Sequence, residues 1–258
     1  MKHFIMKLKR ETKYGWLIIL FLWLALWTFA SMRINRFVFP SPVETGKTLL
    51  LLFMQASTYK IIGMSLLRVV IGLMVAIVLG IVTGLLAGIF DGVYKFLQPV
   101  LVTIKSTPVV SFIILALMYI DEAYVPSFCG MLLCYPIIYY NVIEGYKTVD
   151  SQLINMSMVY DVPMRKQLLK LYLPSMAPYI FAGILTSIGI GWKGTIAAEV
   201  LSVLDPSIGN EIYNGKIYLD VSSVFAWTII IIVCSLIIEK ATKRLIAKNN
   251  YYERFKVI

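Results

Sequence analysis

The sequence predicts an all-α membrane protein, a bundle of six transmembrane helices, and three observations carry that prediction. Hydrophobic residues make up 59% of the 258 positions and charged residues only 15%, against about 45–50% and about 25% in soluble domains. The mean hydropathy is +0.81, and the apolar residues gather into six runs, near the length of about 20 residues that a helix needs to cross hydrocarbon. The cations, finally, are concentrated on one set of connections between those runs. This composition excludes an ordinary soluble enzyme, a disordered chain and a nucleic-acid-binding domain.

The first run, 14–32, carries Trp16, Trp23 and Trp27 and lacks the small-residue cleavage pattern of a signal peptide, so it reads as a retained helix. The second, 61–90, is long enough to tilt. The third covers 104–120 and the fourth 125–143, with Pro126 in a tolerated first-turn position and Pro136 expected to kink the helix. The fifth is 177–201 and the sixth 221–238. A tail at 1–13, a single transmembrane domain at 14–240 and a basic tail at 241–258 complete the expected organisation.

Charge fixes the direction. With the N-terminus inside, 17 of the 24 Lys and Arg fall on the cytoplasmic pieces 1–13, 90–105, 144–174 and 239–258, and five on the outer pieces 33–60, 121–124 and 202–220. Positive charge accumulates on cytoplasmic loops, so both termini are expected in the cytoplasm. The net charge of +10 then needs no nucleic acid. Cys129, Cys134 and Cys234 sit inside apolar runs and read as small buried hydrophobes. The sole histidine, His3, lies in the N-terminal tail, which argues against a catalytic histidine or a histidine metal centre.

Two runs carry small residues at helical spacing: Gly72, Ala76, Gly80, Gly84 and Gly88 in the second, and Gly183, Ser187, Gly191 and Thr195 in the fifth. Such stripes let backbones approach closely in lipid. They predict packing within a bundle interior, either inside one subunit or along an interface or path.

Arg68 and Lys193 are the two cations within spans. Charges there are expensive unless paired or hydrated, so each is expected to face the interior and find a partner. One reading is a lock between either cation and Glu199. The other leaves one cation unpaired in the outer half of a path, favouring an anionic solute, with Trp192 lining it. Gly46-Lys47-Thr48 resembles the end of a phosphate-binding loop, but Ser41 stands where the pattern needs glycine, and an external amphipathic helix is the expectation there.

The longest patterned connection is 144–174. Asp150 or Ser151 can cap a helix through about Met158, and Asp161 a second one with Pro163 in its first turn. Met164, Leu168 and Leu171 share one face of that second helix, with Arg165, Lys166, Gln167 and Lys170 on the other. Pro174 is expected to end it. The pair can form a compact cytoplasmic plug, or lie on an anionic lipid surface.

The stretch 153–178, with Leu171-Tyr172-Leu173-Pro174, resembles the "EAA" loop of binding-protein-dependent ABC importer permeases with a MetI-like transmembrane domain. Other pieces resemble the sulfonate, nitrate, taurine and thiamine-precursor branch: Phe39-Pro40-Ser41-Pro42, Ser65 through Gly72, Ser106-Thr107-Pro108, Gly145 through Asp150, and Gly191-Trp192 followed by Ala198-Glu199. The likeness runs in order along nearly the whole chain. The sequence departs from the family pattern where Asn155, Met156 and Ser157 replace Glu-Ala-Ala and Asp161 replaces the turn glycine, a geometry aspartate tolerates better than most residues. Asp121-Glu122 also lacks the family's glycine.

The resemblance implies a non-catalytic permease subunit in a bacterial cytoplasmic membrane. Two copies would form the path for a small anionic or heterocyclic nutrient brought by an extracellular or lipoprotein binding protein. The 150–172 loop would couple to a separate ABC ATPase that holds the ATP and Mg; no cofactor is expected in this chain. The docking residues it implies are Leu153, Met156, Met158 and Met164, with Tyr160, Asp161, Val162 and Arg165 at the turn. The rival reading is a self-contained secondary transporter or channel, but no inverted repeat is evident and such a carrier has no use for the 144–174 plug.

Overall fold

The computed structural model describes residues 15–34 and 38–248, and all regular structure among them is helical. The tail 1–13 with His3, Tyr14 at the start of the first run, and the end of the basic tail from 249 onward lie outside the described residues. The elements are α1 (Gly15–Arg33), α2 (Pro42–Met54), α3 (Ala56–Ile89), α4 (Asp91–Ser106), α5 (Val109–Tyr119), α6 (Val125–Lys147), α7 (Ser151–Val159) and α8 (Met164–Gln167). A π-helical turn, Leu168–Tyr172, joins α8 to α9 (Leu173–Ser202), and α10 (Ile208–Ile217) and α11 (Val221–Lys248) follow.

Four helices are long and apolar enough to cross a membrane, or five if the bent pair α4–α5 counts as one, and α1 contributes the shorter apolar stretch Leu17–Arg33. The third predicted run is the one the structure redraws. Residues 104–106 end α4, and α5 leaves at 107° to it. The break lies at Thr107-Pro108: Thr107 is extended (φ −84°, ψ 134°), as the residue before a proline is pushed to be, and Pro108 has no N–H to continue the helix. The segment 90–105, expected as a connection, is thus an amphipathic helix with Val93, Leu97 and Leu101 packed inward. The loop 202–220 likewise contains the unanticipated α10.

Pro174 does not end a helix. Its missing N–H falls just after the π turn, where Leu173 N–H reaches back to Leu168 O, and the chain continues from Met164 to Ser202. Pro136 lies inside α6, which runs unbroken.

The chain divides into two compact units. The first takes the described residues of 1–58 with 211–229. There Trp27 Nε1 donates to Pro40 O (3.0 Å), and Trp27 and Phe39 both contact the Phe225 ring, with centroids at 5.8 and 5.6 Å. Helix α2 opens on a capping box: Glu44 N donates to Ser41 Oγ (3.2 Å), and Ser41 N to Glu44 Oε2 (2.9 Å). This helix contains Gly46-Lys47-Thr48, so no phosphate loop exists there.

The second unit, the described residues of 59–210 with 230–258, is built on α6. Helix α3 runs parallel to it through the first small-residue stripe: a Cβ on Gly72 would lie 2.5 Å from Ser127 O, on Gly80 2.7 Å from Ile138, on Gly84 2.8 Å from Val142 and on Gly88 2.8 Å from Tyr146. Helix α9 runs antiparallel through the second, with Gly183 against Asn141 and Gly191 against Cys134 Sγ. Leu101 of α4 packs with Ala87, Tyr139 and Ile143, and Ile113 and Ala116 of α5 with Val125, Cys129 and Ala198.

Candidate functional site

At one end of α6 the chain folds into an elbow. Asp150 caps α7 by accepting Gln152 N–H on Oδ1 (2.8 Å). The helix stops at a Schellman turn: Val162 N–H bonds Ser157 O (2.9 Å) and Asp161 N–H bonds Met158 O (3.1 Å). The pivot of that turn is Asp161, at φ 47° in the left-handed region that normally selects glycine. It is therefore not the cap of the next helix; Pro163 takes that position. Gln167 Nε2 closes the turn on Val162 O (2.7 Å).

The elbow is braced on its inner side only. Ile154, Leu168 and Leu171 pack on a core that includes Val149, Tyr172 and Met176, and Tyr172 stacks on Tyr146 at 4.9 Å. The outer side leaves Leu153, Met156 and Tyr160 exposed; Met158, four residues after Ile154, and Met164 are also exposed, as is Arg165, with Val162 half-buried. Val159, 80% exposed, belongs to this face and was missed by the sequence reading, although it lies three residues from Met156. Leu153, Met156, Ser157, Tyr160, Val162 and Leu171 line an open, almost wholly apolar groove of about 370 Å³. Behind the elbow, a cavity of about 470 Å³ separates Ser151 and Ile154 from Ala87, Asp91 and Tyr94 of the bundle.

At the opposite end of α6 lies a buried polar cluster. Arg68 Nη1 donates to Glu199 Oε1 (3.0 Å) and to Pro206 O (2.9 Å). The other carboxylate oxygen accepts from Ser65 Oγ (2.8 Å) and from Gly209 N (3.3 Å), while Ile208 N donates to Ser65 Oγ (3.0 Å). Arg68 is 8% exposed and Glu199 0%. Glu199 thereby sits at the positive N-terminal turn of α10. Gly209 is obligatory, because a Cβ there would run into Glu199 and lie 2.5 Å from Val200 N.

Periodicity explains the convergence. Arg68 stands four residues before Gly72 and Glu199 four after Thr195, so both charges continue the small-residue stripes. The same arithmetic rules out a lock between Lys193 and Glu199 and leaves Lys193 as the unpaired cation of the second reading. It lies two residues, about 200°, from both Gly191 and Thr195, and the structure leaves it exposed. Among the described residues no carboxylate pairs with it. Trp192, expected to line a path, is instead 1% exposed in the interior, its Nε1 without a partner.

Comparison with known proteins agrees with this architecture. The chain is 24% identical over 252 residues, 93% of its length and 91% of the relative's, to a Bacillus subtilis protein named for aliphatic sulfonate transport, the permease SsuC. It is 26% identical over 220 residues, 81% of its length and 77% of the relative's, to the nitrate import permease NrtB of Synechococcus elongatus. A shorter stretch of 61 residues, 24% of the chain and 22% of the relative, is 38% identical to the bicarbonate transport system permease CmpB of Synechocystis. Residues 76–249, which take in the C-terminal part of α3, α6, the elbow and α9, match the model for the inner membrane component of binding-protein-dependent transport systems. The chain belongs to that family, and it is a multi-pass, MetI-like permease subunit of an ABC importer.

Proposed function

We propose that two copies of this chain form a translocation path in a bacterial cytoplasmic membrane, with both termini and the elbow on the cytoplasmic side. Each elbow seats in a groove of a separate ABC ATPase, which binds the ATP and Mg. A binding protein on the outer side delivers the solute, a small anionic or heterocyclic nutrient; the relatives are named for sulfonate, nitrate and bicarbonate.

The observation that carries this reading is the apolar outer face of α7. Six large side chains, Leu153, Met156, Met158, Val159, Tyr160 and Met164, are exposed on and beside a helix of nine residues. A helix that short has little stability of its own, and a contiguous exposed apolar patch marks an interaction surface. Methionine supplies adaptable contacts, in place of the small residues of the family pattern. The brace through Tyr172 and the continuous helix into α9 would transmit a push from the ATPase to the bundle, and the cavity behind the elbow leaves room for the stroke.

Co-purification tests this. Expressed with its cognate ABC ATPase, the chain should retain the ATPase in detergent, and Leu153→Asp with Met156→Asp should abolish that retention while leaving the thermal unfolding of the permease unchanged. Retention by the double variant would refute the assignment of the docking face.

A further inference from the structure

We infer that Lys193 is the residue that selects for anions in the path, an inference that rests on the dimeric permease reading above. Lys193 lies in the middle of an exposed face of α9 formed by Thr186, Ile190, Lys193, Ala197 and Leu201. It is nine residues before Ser202, about 13 Å along the helix from that end, within a segment apolar enough to span. An ammonium at that depth is not stable in hydrocarbon and must face water or a partner. Among the described residues no carboxylate pairs with it: Glu199, the acidic group of α9, is buried and shared among Arg68, Ser65 and Gly209.

The remaining environment for that face is the aqueous path between the two copies. Its neighbours suit this: Thr186 and Ala197 are small, and a Cβ on Gly189 would meet nothing within 4 Å. Arg68 is neutralised by Glu199 and brings no net charge to this region. Each copy therefore contributes one uncompensated positive charge, and the walls of the path are low-dielectric, which strengthens its attraction for an anion. The chemistry fits a small oxyanion better than a neutral or cationic heterocycle.

The test uses the assembled transporter in cells, on a Cys234→Ser background, since Cys129 and Cys134 are buried. Ile190→Cys places a thiol one turn from Lys193. It is treated from outside with a sulfonate-bearing and with a trimethylammonium-bearing methanethiosulfonate. Both should react, and adding Lys193→Gln should lower the anion-to-cation rate ratio roughly three- to tenfold, as for unit charges about 6 Å apart in water with and without salt screening; Lys193→Arg should keep it. In parallel, Lys193→Gln should reduce import of nitrate, bicarbonate or ethanesulfonate, whichever the unmodified transporter carries, by at least about tenfold, with Lys193→Arg retaining most of it. No reaction at position 190, an unchanged ratio, or unchanged import would each overturn the inference while the ATPase still co-purifies. Loss of ATPase co-purification from the unmodified chain would instead bring down the permease reading beneath it.

Discussion

The two ends of α6 solve opposite problems. At one, Arg68, Ser65, Glu199, Ile208 and Gly209 satisfy one another inside the protein, and every oxygen of the carboxylate is hydrogen-bonded. At the other, α7 turns Leu153, Met156, Val159 and Tyr160 away from the bundle and leaves them uncovered. The first end is satisfied within one chain; the second, on the function proposed above, would be finished by another. Mutations should therefore affect folding at the cluster and association at the elbow, and the two effects should separate.

The largest effect belongs to the cluster. Glu199→Ala strands a buried guanidinium and should destabilise the permease by about 3–5 kcal/mol, read as a lowered unfolding temperature in detergent, whereas Arg68→Met with Glu199→Leu should recover most of that loss. If the single and double variants unfold alike, the cluster is not a coupled pair. At the elbow, Met156→Asp should leave unfolding unchanged yet weaken ATPase binding by roughly 30-fold, the loss of an interface anchor worth about 2 kcal/mol, measured by titration of the purified components. Between the ends, Gly84→Leu would force a side chain against Val142 and should lower stability by about 1–3 kcal/mol, while Gly63→Ala, with open space around it, should not. The smallest effect is at the pivot. Asp161→Gly should slow hydrogen exchange over 151–163 slightly, and Asp161→Val should speed it through a strain of about 1–2 kcal/mol.

Much of this was legible in the sequence because it depends on period and charge. Small residues every four positions announced that α3 and α9 would press closely on a neighbour, and an arginine inside a span announced a buried acceptor. The extension of those stripes to Arg68 and Glu199, and the outward turn of Lys193, were also written in the spacing, but a general rule that intramembrane charges face inward obscured them. The contributions of Ser65, Pro206 and Gly209 were not legible, since the path of 203–208 is fixed by side-chain contacts and has no period. Helix α4 was hidden by Lys95, Gln98 and Pro99, which made an amphipathic helix look like a charged connection. The bend at Thr107-Pro108 was written in a motif that also fits the opening of a straight span.

The central claim is that the elbow is the point where another polypeptide's nucleotide cycle enters this chain. A photo-cross-linking amino acid in place of Met156, in membranes that contain the permease with its cognate ABC ATPase, tests it most directly. A specific adduct with the ATPase, abolished by Leu153→Asp, is the predicted result; adducts with lipid alone, from a permease that still folds and still binds its ATPase, would contradict the account.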